Sequence, residues 1–521
     1  MSRRVFRSMS VFGLMTLLSR ITGLWRDTVY ASVFPTATGM MDAWLASYQI
    51  PNYLRRLFAE GAFSQAFVPV VSEYRARRSV EETRELVDSV AGTLGGFLLV
   101  LSLIGSLSAP LLIWACAPGF DSHSARFGMA VEMLRWTFPY LFFVSMTALA
   151  GGVLNSYERF AIPAFSSVLL NLIMIAAALW WSPHLQKPYM ALALGVFIAG
   201  IAQVLIHLPT LLKLKLLRRP RWNFQHEGVR RVGKLMIPAI IGSSMGQLSV
   251  LVSGQIASFF ATGSISWLYF ADRLVEFPLG IFSIALATVI LPSLSAHHAA
   301  ESPERFTATM DWALRLLCIV VLPAAVALYL LAGPLSVVMF YRGKFTELDV
   351  QMTTWAVMAY SLALFGWSLV KVLAPGYYAR QDTRAPVRTA MWSFGLTMIL
   401  NLMAVLVLTL LDRKHDLGMH VLLALATAAG ALLNAWLLFR GLRKQDVYQP
   451  APGWGALWLR ILLANIVMAM FLYLFAGQVS EWLALGNFKR IVWMAELVVG
   501  GAGLYFLSLW LLGLRPAHLK H

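Results

Sequence analysis

The chain has 521 residues, of which 59% are hydrophobic and only 13% are charged, and its mean hydropathy is +0.69. This composition excludes a disordered chain and disfavours a soluble globular protein, so the sequence predicts a polytopic membrane protein. Lys and Arg outnumber Asp and Glu by 42 to 25, and this net charge of +17 indicates loop topology, an anionic ligand, or both.

Repeated apolar runs of about 20 residues predict an all-α fold of about fourteen transmembrane helices joined by short connections. Segments such as 98–104 are almost continuously apolar, whereas the strands of a membrane β-barrel alternate apolar and polar residues. No small-residue cleavage site follows the first apolar run, so we expect an uncleaved first span. The predicted spans are 8–34, 42–71, 86–115, 131–154, 163–182, 189–212, 235–261, 267–293, 311–332, 351–375, 387–410, 418–439, 456–476 and 491–513.

The basic residues of the connections predict the orientation of these spans. With the amino terminus in the cytoplasm, the inside segments carry 25 Lys and Arg residues and the outside segments carry 8. This split satisfies the positive-inside rule and predicts that both termini are cytoplasmic. The strongly basic connection 213–234 is expected to set topology and to contact anionic membrane lipids rather than nucleic acid.

An internal repeat is found when the chain is shifted by about 223 residues. Trp44 then falls on Trp267 and Pro69 on Pro292, and spans 1–6 map onto spans 7–12. Parallel repeats of this kind are expected to form two lobes around a central cavity. The predicted regions are an N-lobe at 1–212, the basic loop at 213–234, a C-lobe at 235–440, and two extra helices with the carboxyl-terminal tail at 441–521.

Ten ionisable side chains lie inside three of the predicted spans, and an isolated charge at the bilayer centre costs about 2.5–3.5 kcal/mol or more. They must therefore line an aqueous cavity or pair with one another. Ion pairs are expected for Arg56 with Glu60 and for Arg273 with Glu276, whereas Asp42 and Asp272 lie near span ends where water can reach them. The ten residues are Arg20, Arg26, Asp27, Asp42, Arg55, Arg56, Glu60, Asp272, Arg273 and Glu276.

The five cations of this set are all arginines, which favours planar, bidentate recognition of phosphate. In the repeat, Arg20 falls on Ser243 and Arg26 falls on Ser249. A symmetric scaffold would be expected to carry cations in both halves. The anion site is therefore predicted to belong mainly to the first half, with Arg273 contributed by the second.

Four sequence blocks resemble the MurJ (MviN-type) lipid II flippases of Gram-negative bacteria, which belong to the multidrug/oligosaccharidyl-lipid/polysaccharide (MOP) exporter superfamily. They include SRITGLWRD at 19–27 and PNYLRRLFAEGAFSQAFVP at 51–69, with YFADRLVEFP at 269–278 and VKVLAPGYYARQD at 370–382. The resemblance implies an inner-membrane, multi-pass transporter rather than an enzyme. Its implied cargo is lipid II, the undecaprenyl-pyrophosphate-linked disaccharide pentapeptide, which moves from the cytoplasmic to the periplasmic leaflet for peptidoglycan synthesis and cell-wall biogenesis.

The resemblance also assigns roles to residues of the matching blocks. Cell-wall synthesis proteins are candidate partners, and no cofactor or metal is implied. Helices 13 and 14, at 441–521, are implied to form the groove for the lipid tail. The implied substrate-binding residues are Ser19, Arg20, Arg26, Arg55, Arg56 and Arg273, and the implied gating or ion-pair residues are Asp27, Asp42, Glu60, Asp272 and Glu276.

Two departures from the family pattern concern charge. Gln49 stands where relatives can carry Lys, so the local charge differs. Some relatives have a sodium site of acidic residues in spans 7, 11 and 12, but these three spans contain no Asp or Glu here. Sodium coupling through such a site is therefore not expected.

Three other functions were weighed against the sequence. A drug exporter of the same superfamily would meet five arginines that disfavour cationic drugs. A polytopic enzyme that transfers phosphosugars would usually need clustered carboxylates to bind Mg²⁺, and the chain has no Asp-Asp pair. A scaffold for cell-wall assembly would leave the intramembrane cations unexplained.

Overall fold

The computed structural model of the chain describes residues 3–56, 62–216, 219–413 and 415–515. For residues 3–12, 62, 64, 65, 238–251, 253 and 284 it describes the backbone alone. Every regular element among the described residues is helical, which confirms the predicted all-α membrane fold. The chain divides into two compact units, Met1–Ile265 and Ser266–His521.

The helices of the first unit follow the order of the predicted spans. They are α1 (Arg3–Val33), α2 (Met40–Arg55), α3 (Ala62–Arg77), α4 (Val80–Leu107), α5 (Ala109–Cys116), α6 (Ala125–Thr137), α7 (Tyr140–Ser156), α8 (Ala161–Ala176), α9 (Met190–Lys213) and α10 (Glu227–Ala257). A π-helical turn, Ala177–Trp181, and a 3₁₀ turn, Ser182–His184, extend α8.

The second unit is built in the same way, and α11 begins at the boundary. Its helices are α11 (Ser264–Pro278), α12 (Ile284–Ala299), α13 (Pro303–Leu330), α14 (Ala332–Phe340), α15 (Glu347–Tyr378), α16 (Arg384–Leu410), α17 (Val421–Lys444), α18 (Trp454–Phe475), α19 (Val479–Ala484) and α20 (Asn487–Leu511). A π-helical segment, Leu279–Ser283, joins α11 to α12 directly after Pro278, where the proline cannot donate a backbone hydrogen bond.

Eleven helices in the described part of the chain are long and apolar enough to cross a membrane. The other three predicted spans, numbers 1, 2 and 7, correspond to α1, to α2 with α3, and to α10. Helix α1 and helix α10 each have 31 residues, or about 46 Å, which exceeds the thickness of the hydrocarbon core. These three spans are the ones with the most polar sequences, so length alone supports their assignment.

The helix order repeats within the chain with nearly constant spacing. Helix α4 begins at Val80 and α13 begins at Pro303, which is 223 residues later. The short helix α5 begins at Ala109 and α14 begins at Ala332, again 223 residues later. Prolines within the first three residues of each short helix start a new helix instead of continuing the preceding span. The sequence analysis treated each of these segments as one uninterrupted span with its neighbour and so missed both short helices.

The compact units divide the chain one helix later than the repeat does. Helix α10, the first helix of the second repeat, packs against α3 in the first unit. At its amino-terminal end, Arg231 pairs with Glu73 at 2.7 Å and Glu227 pairs with Arg78 at 3.2 Å. The lobe ranges predicted from the repeat remain a prediction, while the contacts place 235–257 with the helices before it.

Candidate functional site

Helix α1 presents two of the predicted arginines in different environments. Arg20 lies near the middle of the helix, its side chain is exposed, and it makes no ion pair or hydrogen bond with the residues that the structure describes. Ser19 beside it is half-buried, and its carbonyl oxygen accepts a hydrogen bond of 3.0 Å from Asn171 Nδ2 on α8. An exposed arginine at mid-membrane depth is tolerated only where it faces water or a polar ligand.

Arg26 lies about two turns after Arg20 and is held by three groups. Its Nε and one terminal nitrogen donate to Asp27 Oδ1 at 3.0 and 2.8 Å, and its other terminal nitrogen donates to Asn171 Oδ1 at 3.0 Å. The guanidinium also lies 5.4 Å from the ring centroid of Tyr30. The Asp27 side chain is only 2% exposed and that of Arg26 is 16% exposed, so this is a mostly buried ion pair that fixes the arginine on α1.

Asn171 is a functional candidate that the sequence analysis missed. It is buried on α8, and its two amide atoms connect Arg26 to the backbone of Ser19 and to the hydroxyl of Thr22. The signal in the sequence is a single amide inside the otherwise apolar span 163–182. Because a buried amide must find partners, such a residue indicates a polar contact to a neighbouring helix, although it does not say which helix.

Asp42 is buried rather than hydrated, so the expectation that water reaches it is wrong. It is 1% exposed, and its Oδ2 accepts a hydrogen bond of 2.7 Å from the backbone N–H of Gly263. The same oxygen lies 3.8 Å from a terminal nitrogen of Arg126, a residue that the sequence analysis counted only as a loop cation. Asp42 therefore ties the start of α2 to the start of α6 and to the segment after α10.

The arginines at the end of α2 are half-buried. Arg55 donates to Asn52 Oδ1 from Nε at 3.1 Å and from a terminal nitrogen at 2.9 Å, one turn earlier on the same helix. Arg56 follows as the carboxyl-terminal cap of α2. Glu60, its expected ion-pair partner, lies outside the described residues. Gln49 contacts Gly254 on α10, where the absence of a Cβ atom leaves room for the amide.

In the second unit, α11 carries Asp272, Arg273 and Glu276. The ion pair expected between Arg273 and Glu276 is present. The Arg273 guanidinium also lies 4.9 Å from the ring centroid of Tyr269, one turn earlier. Asp272 and Arg273 are half-buried, whereas the Glu276 side chain is 55% exposed, so the pair occupies the boundary between packed and open surface.

The structure therefore brings some of the predicted residues together. Ser19, Arg26 and Asp27 belong to one network on α1 and α8, and Arg273 with Glu276 forms a second pair on α11. Their chemistry is suited to an anion, because a guanidinium that exchanges a carboxylate for a phosphate oxygen keeps its hydrogen bonds and its charge balance.

Comparison with known proteins identifies the family. The family described as lipid II flippase MurJ matches residues 31–493. A protein of Haemophilus influenzae described as a probable lipid II flippase MurJ is 41% identical over 520 residues, which cover 97% of this chain and 99% of that relative. Both matches extend over both compact units.

Solved structures agree on the fold. A structure of lipid II flippase MurJ in an inward closed conformation aligns with a TM-score of 0.74 at 22% identity and covers 95% of this chain and 97% of that one. An inward-facing multidrug resistance MATE family transporter of the MOP superfamily aligns with a TM-score of 0.64 at 13% identity, covering 84% of this chain and 98% of that one. The chain therefore belongs to the MurJ family of lipid II flippases, a family of transporters rather than enzymes within the MOP superfamily.

Proposed function

We propose that this chain moves lipid II, the undecaprenyl-pyrophosphate-linked peptidoglycan precursor, from the cytoplasmic to the periplasmic leaflet by alternating access. The observation that carries the proposal is 41% identity to a probable lipid II flippase over 97% of this chain and 99% of that relative. Because the match leaves no major segment of either protein uncovered, no additional domain is needed to explain another activity.

The proposed recognition of the pyrophosphate rests on arginines. Arg20 is exposed and lacks a partner among the described residues, so it can bind a phosphate without first breaking an ion pair. Arg26 is held by Asp27 and Asn171, and we assign it a phosphate contact in exchange for the carboxylate. Arg55, Arg56 and Arg273 complete the proposed substrate-binding set with Ser19. Asp27, Asp42, Asp272 and Glu276, with Glu60, are proposed to compete for these arginines or to hold the helices as access changes.

The lipid tail is proposed to lie on the helices of 441–521. Helices α18 and α20 pack against each other and expose many large apolar side chains, as a surface in contact with acyl chains requires. We place the protein in the bacterial inner membrane with both termini in the cytoplasm. Reporter fusions after residue 515 and within the 477–486 connection should then report opposite sides of the membrane, and matching signals would contradict this topology.

The function is tested by measuring which leaflet holds lipid II after rapid inactivation of the chain. Cells whose only lipid II flippase is this chain should accumulate lipid II in the inner leaflet, as measured by its accessibility to an externally added modifying enzyme. Unchanged access to the outer leaflet after complete inactivation would contradict the proposal.

Exposure of the arginines to water is tested separately. Single cysteine replacements at Arg20, Arg26, Arg55 and Arg273 should react in cells with a hydrophilic maleimide if these positions line an aqueous substrate site. A cysteine at Leu172, which is 39% exposed on the apolar helix α8, is the matched control and should react slowly if it faces lipid. Uniform protection of all four arginine positions would indicate sealed ion pairs instead.

A further inference from the structure

A cavity of about 310 Å³ lies in the second unit, away from the charged residues of α11. Helix α13, the start of α18 and the segment after α20 form its walls. Its volume is at the lower end of the range of small-molecule sites and is sufficient for a phosphate headgroup. The lining residues are Arg315, Ile319, Gly453, Ala456, Leu457, Arg460 and Leu514.

The two arginines of this cavity differ in how their charge is balanced. Arg315 Nε donates to Asp311 Oδ2 at 2.6 Å, and one terminal nitrogen donates to the carbonyls of Ala451 and Pro452. Arg460 is half-buried and makes no ion pair or hydrogen bond within the described residues. The cavity therefore has one arginine that is held in place and one that has hydrogen-bond donors available for a ligand.

The nearby carboxylate does not cancel this charge. Asp311 Oδ1 accepts hydrogen bonds from Tyr448 at 2.7 Å, from Trp454 Nε1 at 2.8 Å and from the backbone of Ala451 at 3.2 Å. Its other oxygen is taken by Arg315. Asp311 is committed to the loop before α18, so two cations face the cavity against one carboxylate that is already saturated with donors. An anion would restore the balance.

The surroundings of the cavity select an amphiphilic anion. On α18 the next residues outside the cavity are Trp458 and Leu459, which are 43% and 58% exposed. At the end of α20, Trp510 and Leu511 are 59% and 70% exposed. These side chains form an apolar surface that continues from the charged cavity, and the positive-inside count assigns this end of both helices to the cytoplasmic leaflet. Free phosphate would use the arginines but not this surface.

We infer that this cavity binds the phosphate headgroup of an anionic phospholipid of the cytoplasmic leaflet, between Arg315 and Arg460, with the acyl chains along α18 and α20. The site goes beyond the proposed transport of lipid II, because none of its residues belongs to the set proposed to contact the substrate. Bound lipid would fasten the last helices to α13, since its headgroup contacts all three segments.

The binding test uses the full chain in detergent, titrated with phosphatidylglycerol and observed by native mass spectrometry. Arg460→Gln should weaken binding of the first phosphatidylglycerol by about tenfold, the loss of one charge-assisted contact. Arg443→Gln is the matched control, because Arg443 is an exposed arginine at the same end of α17 but outside the cavity, and it should change this affinity by less than about twofold. Equal effects of the two substitutions would overturn the proposal in favour of general surface charge.

The source of the anion is tested in the same experiment. Phosphatidylethanolamine should bind at least about tenfold more weakly, because its ammonium group partly cancels the phosphate charge. Inorganic phosphate at millimolar concentration should not displace phosphatidylglycerol. Displacement by inorganic phosphate that depends on Arg460 would show a site for free anions and overturn the lipid assignment.

A second variant keeps the test valid if Arg460→Gln fails to fold. Ala456→Leu narrows the cavity at an exposed position of the first turn of α18 and leaves both arginines intact. It should lower phosphatidylglycerol binding while the protein still elutes as a single species with an unchanged melting temperature. Normal binding by a folded Ala456→Leu variant would mean that the headgroup does not enter this cavity.

Discussion

Equivalent helices in the two halves of the repeat are tied together by different chemistry. In the first half, Asp42 of α2 lies near Arg126 at the start of α6 and accepts from the backbone of Gly263. In the second half, Trp267 of α11 donates from Nε1 to Asp349 at the start of α15, at 2.7 Å. Arg126 and Asp349 are 223 residues apart, which is the spacing of the repeat. The helix contact is retained between the halves while the charges that make it have changed.

The helices that start the two repeats differ even more. Helix α1 carries Arg20 and Arg26, whereas the matching positions of α10 are Ser243 and Ser249 in the sequence. Buried Trp44 and Trp267, each 2% exposed, show that the packing positions do match. The comparison teaches that packing follows the repeat and charge does not, which is expected if the charges were selected for a ligand rather than for the scaffold.

The largest effect is expected from replacing the arginines without removing charge. Arg20→Lys and Arg273→Lys should each lower lipid II flipping by at least about tenfold, because a point cation cannot reproduce the planar two-donor contact of a guanidinium with phosphate. Complementation of a flippase-depleted strain, at matched protein levels, measures this. Ser243→Arg is the control on the other half of the repeat and should restore nothing to Arg20→Lys. Full complementation by both lysine variants would mean that charge alone suffices.

The two helix ties should differ in strength when each is cut. Asp42→Ala removes a buried acceptor from both Gly263 and Arg126 and should lower the free energy of unfolding by roughly 2–3 kcal/mol. Trp267→Phe leaves Asp349 with its two hydrogen bonds from Thr346 and should cost about 1–2 kcal/mol. Thermal melting in detergent ranks the two variants. If Trp267→Phe proved the more damaging, the charged tie would not be the stronger one.

A smaller loss is expected when α1 is released from α8. Asn171→Ala leaves Arg26 without one acceptor and the Ser19 carbonyl without its donor, which should cost about 1–2 kcal/mol. Asn401 on α16 is the matched control, because it is fully buried and its amide atoms have no partner among the described residues. Asn401→Leu should leave the melting temperature unchanged or raise it, and a loss equal to that of Asn171→Ala would show that the network adds nothing.

The smallest effect concerns the exposed ion pair between α3 and α10. The hydrogen bond from Arg231 lowers the pKa of Glu73 below its ordinary value. A lowered pKa in the folded state means that the pair stabilises the protein at neutral pH and that this stabilisation is lost as the pH falls through the folded pKa. Glu73→Gln should shift the melting temperature by no more than about one degree at neutral pH and less at high salt. A large, salt-independent shift would show a buried interaction instead.

The fold class and most spans could be predicted because apolar length and basic connections are local properties of the sequence. The pair of Arg273 with Glu276 was predicted correctly for the same reason, since residues three apart on a helix are neighbours. The contacts of Asn171 and Asp42 could not be predicted, because each joins helices distant in sequence, and the repeat gave no counterpart for either. Helices α5 and α14 were missed because their proline starts lie inside apolar runs.

The place of α10 has a consequence for the order in which the protein is made. The face of α3 that α10 covers emerges from the ribosome about 150 residues before α10 does, and Gly92 and Gly96 of α4 wait as long for Arg221 and Trp222 of the preceding loop. The first unit is complete only when residue 265 has been synthesised. A nascent chain that stops after six spans would thus expose surfaces built for the seventh, and such unfinished surfaces are what membrane chaperones and proteases recognise.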